Sequence, residues 1–283
     1  MAEYFRARGL PVPRELDTPW YMDWRRLLST ALVVMVLYAG FQIVGFDPRR
    51  INFEYAPRIL AQLAQPDVSI CGPQNEFENW MDGACGLMVV TIFLGIVASA
   101  LAILVALPMS FLAARNLMTF NPVTTAIYTV VRLFFTIVRS IDVLIVVILM
   151  AVIVGIGSAA GVLALAFHNV GVLGKLYSEA IEGIDPGPIE AITATGANRV
   201  QVVWTAVLPQ IVNPFISFTI YRLDTNVRLA PIIGLVGGGG IGTMLFQKIN
   251  LLDYRDASFI LILIIVTVAV MDFVSAHVRK RLV

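Results

Sequence analysis

Long apolar stretches separated by short polar connections set the pattern of this chain. A helix needs about 20 consecutive apolar residues to cross a bilayer core. That length picks out six segments. Leu27 to Phe46, Gly86 to Leu112, Pro214 to Val236 and Phe259 to Ala276 are well defined, and Val162 to Ile184 is a fifth. Val123 to Val154 is too long for one upright helix and holds Arg132, Arg139 and Asp142. It is therefore either strongly tilted or begins as a helix on the membrane surface. The glycine-rich, apolar break from Gly155 to Gly161 suits a tight turn at the membrane edge or inside the protein.

The polar stretch from Asp185 to Pro209 predicts two short helices. Asp185 caps the first, Pro186 or Pro188 supplies its opening turn, and Gly196 ends it in a left-handed conformation. In the second, Val200, Val203, Trp204, Val207 and Leu208 recur at the spacing of an amphipathic helix, with Arg199 and Gln201 turned away and Pro209 marking the end. Without further information such a pair also fits a hairpin lying on the membrane surface.

Composition agrees with lipid as the solvent. The 283 residues are 58% apolar and 14% charged, with a mean hydropathy of +0.83. A net charge of +1 with no basic face excludes nucleic acid as a partner. Arginine and lysine positions give the orientation. With an even number of spans both ends share a side, and that side carries ten basic residues against five in the opposite loops. Both termini are thus expected in the cytoplasm. The division is a tail over 1–26, a first span over 27–46, an outside loop over 47–85, a membrane core over 86–278 and a basic tail over 279–283. Cys71 and Cys85 share the outside loop, where they stand either as a disulfide or as two small apolar thiols.

No G-x-x-x-x-G-K-[ST] loop, G-x-S-x-G elbow or H-E-x-x-H helix occurs. Gly237, Gly239 and Gly242 satisfy G-x-G-x-x-G, but no strand precedes them and no acidic partner follows, which argues against a dinucleotide site. The chain is not read as an enzyme and has no bound cofactor or metal.

Ionisable residues inside spans are functional candidates. Asp224 and Arg228 are spaced to neutralise each other, as are Lys175 and Glu179. Arg222 is left over. It either faces a polar path, where a guanidinium suits a tetrahedral oxyanion, or pairs with Asp142 or Glu179 to hold the bundle. Arg139 and Arg132 carry the same alternatives. The candidate path is Arg139, Arg222, Asp224 and Arg228. His168 is expected to hydrogen-bond to a neighbouring helix.

Glu190, Ala191, Gly196, Leu208 and Pro209 resemble the signature of ABC-importer permeases: Glu-Ala-Ala, three residues, Gly, nine residues, Ile, any residue, Leu, commonly followed by Pro. Five of the seven marked positions match, with Ile192 and Ala206 departing. The resemblance implies an all-α integral membrane fold of the type I importer permease class, with about six transmembrane helices and a coupling-helix pair over 185–209. Those helices would engage a separate ATPase that carries ATP and magnesium. The sequence is similar in particular to permeases of phosphonate importers, through Arg139-Ser140-Ile141, the run from Gly161 to His168 and on from Gly171 to Leu176, Asp185-Pro186-Gly187-Pro188, Tyr221-Arg222, Asn226-Val227-Arg228 and Gly238 to Gly242. Asp142 stands where that family tends to have proline. The implied assembly is two permease copies, two ATPase subunits and an extracytoplasmic binding protein in a bacterial inner membrane. An ion-coupled secondary transporter of a small anion is the contrasting reading, and it would use the same intramembrane charges.

Overall fold

The computed structural model describes residues 2–9, 11, 24–45, 54–73 and 79–282. It divides into two units, Met1–Arg58 and Ile59–Val283. Every regular element among the described residues is helical. Arg14, Phe46, Arg49 and Arg50, and the side chains of Arg6, Arg25, Arg26, Arg199 and Arg281, lie outside the described residues.

The first unit holds α1 (Ala2–Ala7) and α2 (Trp24–Val44). Twenty-one residues give α2 a length of about 32 Å, enough for a hydrocarbon core. Its apolar residues recur on all sides rather than on one stripe, as a lipid-facing helix requires.

The second unit begins within α3 (Ala56–Leu63) and carries α4 (Ala84–Leu112), α5 (Arg115–Met118), α6 (Pro122–Ser140), α7 (Val143–Val154), α8 (Ser158–Glu182), α9 (Pro186–Ala194), α10 (Arg199–Val202), α11 (Leu208–Leu235), α12 (Ile241–Asn250) and α13 (Tyr254–Leu282). Among the described residues of the whole chain, six helical segments are long and apolar enough to cross a membrane: Leu27–Val44, Ala84–Leu112, Pro122–Ser140, Ser158–Glu182, Val200–Leu235 and Tyr254–Lys280.

The overlong third segment is not one tilted helix. It breaks at Ile141 and Asp142 into α6 and α7. The cause is local: the Asp142 carboxylate accepts from the Leu144 backbone N–H at 2.8 Å and caps α7. A proline at that point would start a helix by another route, through its fixed φ. Aspartate and proline are thus two solutions to one helix start. The two pieces run antiparallel along α8: Arg132 meets Glu182, Phe135 meets Gly174, Val138 meets Gly171, and Val143, Val146 and Val147 pack with Ala164, Leu165 and Ala166.

Helices in lipid gain little from burying apolar surface against each other, so close backbone approach and hydrogen bonds must hold them. Small residues provide that approach here. A Cβ on Gly174 would enter the Phe135 ring, one on Gly171 would meet the Val138 side chain, and one on Gly95 of α4 would lie 3.1 Å from Val227 of α11. Ala98, Ala102 and Ala106 of α4 and Ala160 and Ala164 of α8 are fully buried.

The glycine-rich stretch does structural work inside the bundle. Gly157 donates its N–H to the Gly237 carbonyl at 2.9 Å. Gly237, Gly239 and Gly240 take positive φ, and a Cβ on Gly239 would lie 2.6 Å from the Ser158 nitrogen. The Ile241 N–H donates to Thr91 Oγ1 at 2.8 Å. Thr91 is seven residues into α4, so the two glycine turns meet about 10 Å below the start of that helix. Within the break at Gly155 to Gly161, Gly157 and Gly161 meet the second glycine turn, while Gly155, Ile156, Ser158 and Ala159 are exposed.

Replacing Gly174 with valine should lower the unfolding midpoint in detergent, because overpacking costs about 1–3 kcal/mol. Gly40, with open space around its Cβ position, should tolerate alanine. Thermal unfolding of the two purified variants checks this, and a Gly174→Val midpoint equal to that of the unmodified chain contradicts the packing described.

Candidate functional site

Two sets of residues stand out, one in the polar loop after α8 and one along α11.

The loop is built as its sequence predicts at its start. Asp185 Oδ1 accepts from the Gly187 N–H at 3.0 Å, Pro186 opens α9, and Thr195 closes it. Gly196 follows at φ +82°, with no other part of the chain near its Cβ position. Glu190, Ala191 and Gly196 are all exposed. A reciprocal pair starts the second helix: the Asn198 N–H donates to Gln201 Oε1 at 2.8 Å, and the Gln201 N–H donates to Asn198 Oδ1 at 2.9 Å. The S/T/N-x-x-E/Q spacing was available in the sequence as a helix start.

The second helix departs from expectation. It does not end at Pro209. Val203–Val207 form a π-helical turn, in which the Leu208 N–H reaches back to the Val203 carbonyl, and α11 continues without interruption. In an α-helix the ring of Pro209 would crowd the carbonyl one turn back and leave it without a donor. The wider π turn carries the chain through the segment leading to it. Pro209 therefore sits in the first turn of α11. The predicted apolar stripe is split as a result. Val207 is buried with Ile181 and Ile211, whereas Val200 and Trp204 are 76% and 72% exposed.

Gln210 closes the stem of the loop. Its Oε1 accepts from the Asp185 N–H at 3.0 Å, and its Nε2 donates to the Ala206 carbonyl at 2.8 Å. Just beyond, Glu182 pairs with Arg132 and accepts the Arg115 N–H at 2.8 Å, while Asn116 Nδ2 donates to the Ile181 carbonyl at 2.8 Å. Arg132 is thus a strut between α6 and the root of the loop. A shallow cleft of about 490 Å³ between α9 and α10 is lined by Ile192, Thr195, Gly196, Ala197, Gln201 and Thr205.

On α11, Thr219, Arg222 and Asn226 recur at i, i+3 and i+7 on one face. Thr219 Oγ1 lies 2.6 Å from the Tyr177 hydroxyl, Arg222 Nε donates to Asn169 Oδ1 at 3.0 Å, and Asn226 Nδ2 donates to Ser99 Oγ at 2.7 Å. Arg222 is 8% exposed, and its partner is Asn169 rather than Asp142 or Glu179. Neutral asparagine and serine gave no charge signal from which to infer these pairings.

Asp224 and Arg228 are on another face, 3.5 Å apart, and Arg228 also reaches Asp272 of α13 at 2.6 Å. Lys175 and Glu179 are 3.4 Å apart, as their spacing predicts. His168 hydrogen-bonds to the Ile141 backbone between α6 and α7, as expected of a contact to a neighbouring helix, while its Nδ1, like Asn169 Nδ2, is buried without a hydrogen-bond partner. Arg139 is exposed on α6 and bonds to no other described residue. The four candidate path residues therefore do not form one cluster.

At the opposite end Cys71 and Cys85 are joined by a disulfide. The same loop is stitched to α13 where Arg255 Nε donates to the Gln65 carbonyl at 3.2 Å and Ser258 Oγ donates to the Leu63 carbonyl at 2.5 Å. The Ser69 backbone N–H holds the Asp67 carboxyl below its ordinary pKa, and its charge faces Arg255 and Lys248.

Known proteins resemble this chain in sequence and in fold. The chain is 33% identical to a phosphite transport system permease protein of Stutzerimonas stutzeri, over 99% of both chains. It is 38% identical to a phosphate-import permease protein of Mycolicibacterium smegmatis, over 68% of this chain and 36% of that one. It is 46% identical to a putative cryptic phosphonate transport system permease protein of Escherichia coli, over 43% of this chain and 99% of that one. The fold is that of the membrane subunit in inward-facing structures of the MetNI methionine ABC transporter, with a TM-score of 0.59 at 23% identity over 69% of this chain and 94% of that one. In this class the permease is a multi-pass inner-membrane subunit, and ATP hydrolysis belongs to a separate subunit. Residues 106–283 match the family described as binding-protein-dependent transport system inner membrane component, and the chain belongs to that family.

Proposed function

We propose that this chain is the permease of an importer for a tetrahedral phosphorus oxyanion, in the class of phosphite, phosphonate and phosphate. The observation that carries this reading is the full-length similarity to a phosphite permease, joined by relatives whose printed names give phosphate and phosphonate. The unneutralised Arg139 gives such an anion a counter-charge.

The working unit in this proposal is two copies of the chain, two ATPase subunits and an extracytoplasmic binding protein, with both termini cytoplasmic. The arginine and lysine distribution supports that orientation. Glu190, Ala191, Gly196, Leu208 and Pro209 form the coupling element, with α9 and α10 seated on the ATPase. Exposure of α9 and the open space around Gly196 support this. Asp224, Arg228, Arg222 and Arg139 belong to the helices that move around the route.

Gly196→Trp should preserve membrane insertion yet abolish co-purification with the ATPase, since it places a large ring on the seat. Gly196→Ala should retain most assembly, losing about 1 kcal/mol of local stability to the left-handed backbone. Normal co-purification of Gly196→Trp would remove the coupling assignment. For the substrate class, proteoliposomes holding the complete transporter should accumulate labelled phosphite, phosphate or methylphosphonate in an ATP-dependent way. Uptake of none of the three would remove the oxyanion reading.

A further inference from the structure

The structure accounts for the arginines at membrane depth unequally. Arg132 pairs with Glu182, Arg222 is buried on Asn169, and Arg228 lies between Asp224 and Asp272. Arg139 is exposed and makes no ion pair or hydrogen bond with any described residue. It lies in the last turn of α6, where its backbone stands beside Gly171, near the middle of the 25-residue helix α8. An isolated guanidinium there is costly against hydrocarbon, which means that this face of α6 meets water, protein or a charged ligand.

Its surroundings specify the ligand. A cleft of about 320 Å³ is lined by Thr136, Arg139, Ser140 and Lys175, which brings two cations and two hydroxyls together between α6 and α8. The approach of the helices is set by Gly171, four residues before Lys175 on the same face of α8, where a Cβ would meet Val138 and lie 3.3 Å from the Arg139 nitrogen. Lys175 is 3.4 Å from Glu179, which uses one of its three donors and leaves the others for a ligand. The Thr136 and Ser140 hydroxyls now donate to the Arg132 and Ile137 carbonyls, at 2.8 and 2.7 Å, and rotate about their C–O bonds when a stronger acceptor arrives. Glu179 and the exposed Asp142 are carboxylates close to the cleft in the chain, and Lys175 offsets the first of them.

We infer that this cleft is a station for a tetrahedral oxyanion within the membrane domain. Arg139 holds two of its oxygens through the guanidinium fork and Lys175 provides a point charge from the facing helix. The station rests on the oxyanion reading above and adds to it a place and a pair of residues. Arg222 is assigned to holding α8 against α11, and Lys175, which sequence spacing alone assigns to a helix-surface pair, becomes a ligand residue.

The test uses the complete transporter in proteoliposomes, with labelled phosphite, phosphate and methylphosphonate as probes and co-purification of the ATPase as the assembly control. Arg139→Gln and Lys175→Gln should each assemble and lose about tenfold or more of uptake, the scale of one charge-assisted hydrogen bond. Arg139→Lys should recover part of it, because a charge returns without the fork. Thr136→Val, also exposed and distant from the packed core, provides a further variant if Arg139→Gln does not assemble, and should lower uptake less than loss of a charge. Wild-type uptake by assembled Arg139→Gln, or by Thr136→Val and Lys175→Gln together, overturns the station while leaving the substrate class standing. Absence of uptake of all three probes by the unmodified transporter overturns both.

Discussion

Inside a bilayer a polar group has no water to return to, and each one buried there must find a partner within the protein. That requirement organises the membrane core of this chain. Helix α11 carries polar side chains on two faces. Thr219, Arg222 and Asn226 are answered by Tyr177, Asn169 and Ser99 on α8 and α4, whereas Arg228, paired with Asp224 on its own helix, is answered by Asp272 on α13. Each contact crosses between helices at a different depth. Together they fix the rotation of α11 about its axis and leave glycine and alanine to set how closely the backbones approach.

The same helix extends into the polar loop proposed to couple to the ATPase. Because the π turn carries the chain toward Pro209 without a break, the segment from Arg199 to Leu235 runs from the loop to the second glycine turn as continuous helix, with Pro214 and Pro231 inside it. Gln210 binds the Asp185 side of the loop to the base of that helix, and Glu182 with Arg132 braces the root against α6. In the proposed coupling role, a displacement applied to α9 would be delivered to the polar contacts of α11 as a movement of one body, the kind of transmission a packed interface supports and a flexible loop does not.

Much of this was legible from residue patterns. The number of spans, the Asp185 cap, Gly196 and the i, i+4 pairs Asp224 with Arg228 and Lys175 with Glu179 follow from periodicity and local chemistry. What was not legible depends on contacts between distant residues or on competition between local signals. Asn169 and Ser99 are neutral, so nothing along the chain marks them as partners for Arg222 and Asn226. Pro209 reads as a stop because an α-helix cannot absorb it, and a π turn is not anticipated from composition. Asp142 reads as a charge within an overlong apolar segment, whereas its carboxylate caps α7 and marks where that segment divides. The two glycine runs gave no indication that they would meet.

The claim most exposed to measurement is that the coupling loop and α11 move as one body. Cys71 and Cys85 are joined to each other, so introduced cysteines can be labelled selectively. Spin labels at Ala194→Cys on α9 and Ile232→Cys near the far end of α11, both exposed positions, report the distance along this body in the assembled transporter. Pulsed electron resonance should give the same distance without nucleotide and with ATP trapped on the partner subunit. A distance that changes between those states would place a hinge between loop and helix and contradict rigid transmission.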